Sequence, residues 1–166
     1  MHGFSGTSLL VASVFFILFV GCCQALVVVY VNSLTDGTNG DCSTSSTNTC
    51  NLRAAFTLCT SSCSIILPPS QVLNFNGDYG ELEISDNDIS VTIWGNHSSV
   101  VFDTASTMSR FLSSGSSTGV TFSVADLSLV GFSSSANGGA FYFDSVDSIF
   151  FENSILRSND AENGGE

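Results

Sequence analysis

The chain contains no lysine and only three arginines, Arg53, Arg110 and Arg157, against 15 carboxylates, for a formal charge of −12 over 166 residues. A surface so poor in cations repels phosphate, which argues against nucleic acid or an anionic membrane as a partner. The acidity itself fits solvated turn carboxylates that keep a β-rich protein soluble. Histidine is nearly as scarce, since beyond the N-terminal apolar segment only His97 remains. A Ser or Cys triad would have to use it as base, yet it sits in Asn96-His97-Ser98, a glycosylation sequon expected at a surface turn. The glycine-rich nonapeptide that builds calcium β-rolls is also missing. What is present is 43% hydrophobic content, 15 Gly, abundant Ser and 11% charge, the composition of one extracellular β-rich domain.

Leu9 to Val20 is almost unbroken apolar sequence and leads into Gly21-Cys22-Cys23-Gln24-Ala25, with small residues placed for cleavage after Ala25. Residues 1–25 read as a secretory signal peptide. Its start lacks the usual basic residues, and the apolar run nearly continues through Leu26 to Val31, so an uncleaved anchor displaying the rest as a stalk is the alternative. After cleavage four cysteines remain: Cys42, Cys50, Cys59 and Cys63. An even number in a secreted chain reads as two disulfides. A helix across 50–59 would hold Cys50 and Cys59 apart, which favours Cys42 with Cys50 and Cys59 with Cys63 and leaves the remaining pairing open. Zinc is disfavoured because the paired C-x2-C knuckles of thiolate zinc sites are absent.

Val27 to Val31 reads as a strand, followed by turn signals at Asp36-Gly37 and Asn39-Gly40-Asp41 and a Ser/Thr-rich loop. From Asn51, a candidate N-cap, Leu52, Ala55, Phe56 and Cys59 fall on one face at helical spacing. Ile65 to Leu67 is a strand ended by Pro68-Pro69, and short apolar runs follow at Leu82–Ile84, Val91–Ile93, Val100–Phe102, Phe111–Leu112, Val120–Phe122 and Leu127–Leu129. Asn137-Gly138-Gly139 then returns as Asn163-Gly164-Gly165, an offset of 26, with three apolar runs between them. A fixed period of three short strands and three turns describes one coil of a parallel β-helix, whereas a sandwich has no need of identical turns at one offset. Phe102, Phe111, Phe122, Phe132, Phe141 or Phe143, and Phe150 or Phe151 are the expected stacked core aromatics. Gly138 and Gly139 are expected to supply positive φ, and Asn153 to turn inward or cap a turn.

Cys50-Asn51-Leu52-Arg53-Ala54-Ala55-Phe56 resembles the C-S-L-R-E-A-I signature of the CSLREA domain, with a D-G before it and an I-x-L-P strand after it. Asn51 in place of Ser keeps an N-cap, whereas Ala54 in place of Glu removes the partner of a capping box. Gly138-Gly139-Ala140-Phe141 with Phe150-Phe151-Glu152-Asn153 is similar to the G-G-A-[ILV] and F-x-x-N elements of the polymorphic outer membrane protein repeat, with Phe at the aliphatic position. The two resemblances imply an all-β fold, a right-handed parallel β-helix of the pectin-lyase-like type with a short N-terminal capping helix. They further imply a secreted or surface-displayed, adhesin-like protein, in the outer membrane if bacterial.

The expected organisation is residues 1–25 as signal, 26–67 as a disulfide-stapled cap and 68–166 as coils. Arg157 to Glu166 reads as a turn leading into a further strand, so the last coil is expected to be uncapped and prone to self-association. The same fold carries polysaccharide lyases and hydrolases, which makes an enzyme the second reading. A lyase needs a strong base beside acidic calcium ligands, and no D-x-x-D-type cluster stands beside Arg110 or Arg157. A hydrolase needs two carboxylates on neighbouring coils; Asp86, Asp88, Asp103, Asp144 and Asp147 are the candidates. Asp86 and Asp88 could also lend oxygens to calcium, although Asp86-Asn87-Asp88 reads first as a turn. No nucleophile, base and orienting group come together, and a non-enzymatic role recognising a surface glycan or protein, without a required cofactor, is the leading expectation.

Overall fold

The structure, a computed structural model, describes residues 26–42 and 49–163. The expected signal peptide, Gly164 and Gly165 lie outside the described residues. β1 (Val27–Tyr30) is followed by a loop and a six-residue helix, α1 (Leu52–Thr57). Four coils then stack. The first holds β2 (Cys63–Ile66), β3 (Val72–Phe75), a 3-10 turn and β4 (Leu82–Glu83); the second holds β5 (Ser90–Phe102) and β6 (Leu112–Ser113). The third holds β7 (Thr121–Val130), β8 (Ser133–Asn137) and β9 (Phe141–Tyr142), and the fourth β10 (Ser148–Glu152), β11 (Ile155–Arg157) and β12 (Asp160–Asn163).

Every strand pairing is parallel. One sheet runs β1-β2-β5-β7-β10 with β3 on β5 and β11 on β7, a second runs β4-β6-β9, and a third pairs β12 with β8. This is a parallel β-helix. Asn163 pairs with Asn137, so the offset of 26 seen in the sequence is the register of the last stacked pair, one residue short of the Ser133–Asp160 pair because a bulge intervenes. Earlier coils are longer: Gly77 N–H reaches Ser106 Oγ 29 residues on, and Ser117 Oγ reaches Ile84 O 33 residues back.

The alternation of each strand sends one set of side chains into the bore. Val29, Ile65, Ile93 and Val124 stack in register there, all buried. Phe132 lies at 5.3, 5.5 and 5.4 Å from the rings of Phe75, Phe102 and Phe111, which makes an aromatic column of tilted and edge contacts. The expected core aromatics of the third coil and below are therefore in place. Phe150 and Phe151 are not, being 57% and 45% exposed. Phe151 pairs with Val124 and faces inward, 5.3 Å from Phe141, but no described coil covers it; Phe150 pairs with Ser123 and faces outward.

The coils turn at corners where residues with positive φ stack. Ser70 (53°), Asn96 (53°), Asp126 (54°) and Asn153 (46°) follow one another along the helix axis. Asn and Asp tolerate this left-handed conformation better than most side chains. Asn153 is exposed at this corner and does not turn inward, so of its two expected roles the inward one is corrected. The inward polar residues are others. Buried Asn159 accepts from Phe132 N–H at 3.0 Å and donates to Leu129 O at 3.4 Å, while buried Ser98 accepts from Gln71 N–H at 2.8 Å. These bonds satisfy backbone groups where a corner interrupts the ladder.

Gly138 does have positive φ (71°), but Gly139 does not, and its role is close approach: a Cβ there would lie 2.8 Å from Asp160 N of the next coil. The segment after Leu156 is also corrected. It is not only a turn, since Asp160–Asn163 forms β12 on β8, two polar strands held by backbone pairing without an apolar pattern.

Truncating Phe132 to Ala should cost about 3–5 kcal/mol in urea unfolding, as for other buried aromatics, whereas Phe150→Ala should stay within about 0.5 kcal/mol. Equal losses at the two sites would contradict this placement of the core.

Candidate functional site

The cap is built around an ion pair. Arg53 Nη2 lies 2.7 Å from Asp36 Oδ2 and Arg53 Nε donates to Asp36 Oδ1 at 3.1 Å, with side-chain exposures of 11% and 4%. The same guanidinium donates to Gly80 O at 2.9 Å and Glu81 O at 3.3 Å, and stands 4.9 Å over the Phe75 ring. Asp36 also accepts from Gly37 N–H and from Asn76 N–H. One buried pair thus ties the β1–α1 loop, the helix and the first coil together. A planar fork suits this crowded, bidentate role and an ammonium does not.

Asn51 caps the helix through Oδ1, which accepts from Ala54 N–H at 2.8 Å, and its Nδ2 donates to Gly37 O at 2.8 Å. The amide therefore does what a serine could not. Ala54 is small because Gly40 passes beside it: a Cβ on Gly40 would come within 2.5 Å of the Ala54 Cβ. The cysteines pair as Cys42–Cys50 and Cys59–Cys63, with S–S distances of 2.03 and 2.00 Å, the pairing favoured from the sequence.

Between α1 and the first coil lies a groove of about 410 Å³. Buried Phe56, Leu82, Ile84, Ile89 and Val91 line it, with Glu81, Glu83 and Asp86 along the same groove. Glu81 is held by Arg110 Nη1, at 3.0 and 2.8 Å from its two oxygens, and by Ser113 Oγ at 3.0 Å. Arg110 also stands 5.0 Å over the Tyr142 ring.

A second surface is the outward face of the β1-β2-β5-β7-β10 part of the large sheet. Tyr30, Ile66, Trp94, Ala125 and Glu152 align in one row, and Val28, Ser64, Thr92, Ser123 and Phe150 in the next. Tyr30 is 66% and Trp94 44% exposed. They are two strands apart, roughly 9.5 Å. This face was not legible in the sequence, because only the register reveals which outward residues become neighbours.

The acidic candidates all lie between strands, at the turns of the coils. Asp103 Oδ1 accepts from Ala105 N–H in its own turn, and Asp144 N–H donates to Ser114 Oγ. Asp147 N–H donates to Val120 O, and Asp86 lines the groove. Asp88 occupies a positive-φ corner (55°) next to Gly119 of the following coil, while Asn87 Oδ1 accepts from Thr118 N–H, so this stretch is an inter-coil turn. Among the described residues no group of three or more His, Cys, Asp or Glu could hold a metal ion. Exposed His97 has Nδ1 4.0 Å from Asp126 Oδ1. Asn96 is exposed, but buried Ser98 donates to Pro68 O, so the sequon hydroxyl is accessible before this corner folds and not after. In the repeat motif, Ala140 is buried in the bore. Among the described residues no helix is long and apolar enough to cross a membrane.

Comparison with protein-family models, curated proteins and solved structures yields no match.

Two predictions concern the cap and its neighbouring turn. Asp36→Ala leaves Arg53 buried without its partner and should cost about 3–5 kcal/mol in chemical denaturation; a loss below about 1 kcal/mol would deny the pair its anchoring role. Asp78 Oδ1 accepts from Thr107 N–H and Thr107 Oγ1, both at 2.8 Å, and the backbone bond first, then the hydroxyl, lower its pKa. A lowered carboxyl favours the folded state above its unfolded pKa, and this contribution fades as pH falls through the lowered value. Carboxyl-carbon NMR should therefore show Asp78 titrating below the usual aspartate range, and Thr107→Val should move the midpoint upward.

Proposed function

We propose that the chain is a secreted or surface-displayed β-helix module with a non-enzymatic role in structure and recognition, adhesin-like in character. The observation that carries this reading is the outward row of Tyr30, Ile66 and Trp94 beside the Ser64, Thr92 and Ser123 row, large apolar groups on a flat face that the bore does not require. Exposed aromatic surface of this kind marks contact with a partner, and aromatic rings beside hydroxyls suit a glycan or a protein. Two disulfides within the cap support an oxidising, extracellular destination. Kinship with CSLREA-type and polymorphic outer membrane protein repeats is supported by the work that the motif residues perform: Asn51 caps, Arg53 anchors, and Gly138 and Gly139 allow a tight turn and close stacking.

Arg53 and Arg110, two of the three candidate strong bases, are each bound to a carboxylate, which supports the non-enzymatic reading over a lyase. Among the described residues nothing covers the inward face of Ile149 and Phe151 or the outer edges of β10 and β11, which also favours association between copies of the chain.

Incubated with pectins and other uronates, the full chain should produce no rise in unsaturated-product absorbance; turnover would overturn the proposal. Surface-immobilised neutral glycans and matrix proteins should include a retained ligand, and Trp94→Ala combined with Tyr30→Ala should reduce that retention about tenfold, equivalent to about 1.4 kcal/mol.

A further inference from the structure

The cap seals the first coil incompletely. β1 pairs with β2 along its length, and Thr35 bridges Asn74 of β3, with Asp36 N–H donating to Asn74 O at 3.2 Å and Asn74 N–H to Leu34 O at 3.0 Å. Two of the three sides of that coil therefore gain a backbone partner from the cap. Among the described residues the third does not: β4 is the end strand of its sheet and pairs only with β6. Leu82 N–H donates to Phe111 O and Ile84 N–H to Ser113 O, so these two residues point to the second coil. In a parallel ladder the residues between them point their backbone groups the other way, so Glu83 and Ser85 face the groove beside α1. Arg53 occupies only the start of that edge, at Gly80 O and Glu81 O.

The groove over this edge has about 410 Å³ and a floor of Phe56, Ile84, Ile89 and Val91, within the roughly 300–1,000 Å³ range of small-ligand sites. Its charge is one-sided. Arg53 is neutralised by Asp36 and Glu81 by Arg110, while Glu83 and Asp86 are exposed without an ion pair among the described residues. Free backbone groups, an apolar floor and two uncompensated carboxylates meet in one place. We propose that the groove takes an extended cationic peptide, which adds as a strand to the free edge of β4. Its apolar side chains would enter the floor and its lysines or arginines would meet Glu83 and Asp86. Strand addition supplies affinity through main-chain bonds and specificity through alternate side chains. This deepens the recognition reading and rests on it, but uses a surface separate from the Tyr30–Trp94 row.

The test is fluorescence anisotropy on the full chain, purified with its disulfides formed, using a short labelled peptide of alternating lysine and valine. Saturable binding is expected, with an alternating glutamate–valine peptide at least about tenfold weaker. Two further versions carry N-methyl groups on alternate backbone nitrogens in the two complementary patterns. One pattern should bind and the other should not, because a strand uses every second N–H for the ladder. Glu83→Gln with Asp86→Asn should weaken binding about tenfold at unchanged thermal stability. No binding by the lysine peptide to folded protein would overturn the proposal. So would equal binding of both methylation patterns, or indifference to the double substitution, either of which would reduce the effect to general attraction by an acidic chain. If the peptide fails while Trp94→Ala with Tyr30→Ala reduces retention on the glycan or protein surface about tenfold, the groove proposal falls and the recognition reading stands.

Discussion

Parallel stacking is the constraint on which the rest of this structure depends. A parallel strand has satisfied backbone groups only when a neighbour lies on each side, and each neighbour must come from another coil. β5 and β7 meet this condition fully, β5 between β2 with β3 on one side and β7 on the other, and β7 between β5 and β10 with β11. The problem is passed to the ends. At the N-terminal end it is met by β1, by the Thr35 bridge and by the Arg53 guanidinium on two carbonyls. That is why one buried ion pair, Arg53 with Asp36, matters so much: it fixes the helix, the loop and the first coil in one geometry.

Stacking also dictates where unusual backbone goes. If one coil turns sharply, the next must turn at the same height, so positive φ recurs at Ser70, Asn96, Asp126 and Asn153. Gly95 shows the steric side of the same demand, since a Cβ there would lie 2.3 Å from Asp126 O of the next coil. Where a corner breaks the ladder, Ser98 and Asn159 supply the missing partners from inside. The recurring Asn and Gly residues are thus explained by the backbone before any ligand is invoked.

Much of the fold was legible because two signals were local. The Asn-Gly-Gly offset coincided with real register, Asn163 on Asn137, and the face Leu52, Ala55, Phe56 and Cys59 is buried as its spacing required. The misses have one origin. β8 and β12 are polar, and the backbone partner that holds each of them lies a whole coil away in sequence. Phe75 enters the aromatic column from β3, a short strand whose pairing with β5 the local pattern did not announce. The candidate site was the least legible part. Arg53 stood out through its motif, but Asp36, 17 residues away, and the Glu81–Arg110 pair, 29 residues apart, are neighbours only after coiling. The groove joins α1 to β4 and to the start of β5, and no contiguous stretch encodes it.

The central claim is that stability is distributed along a stack closed by its cap on two of three sides and strongest where both edges of a strand are paired. Residue-resolved hydrogen exchange on the full chain measures this directly, because opening free energies report how each strand is held. The account predicts the slowest exchange in β5 and β7, measurable protection in β1 and β2, and progressively faster exchange through β10, β11 and β12 in dilute solution. Protection that is highest in β10 to β12, or absent from β1 and β2, would contradict it.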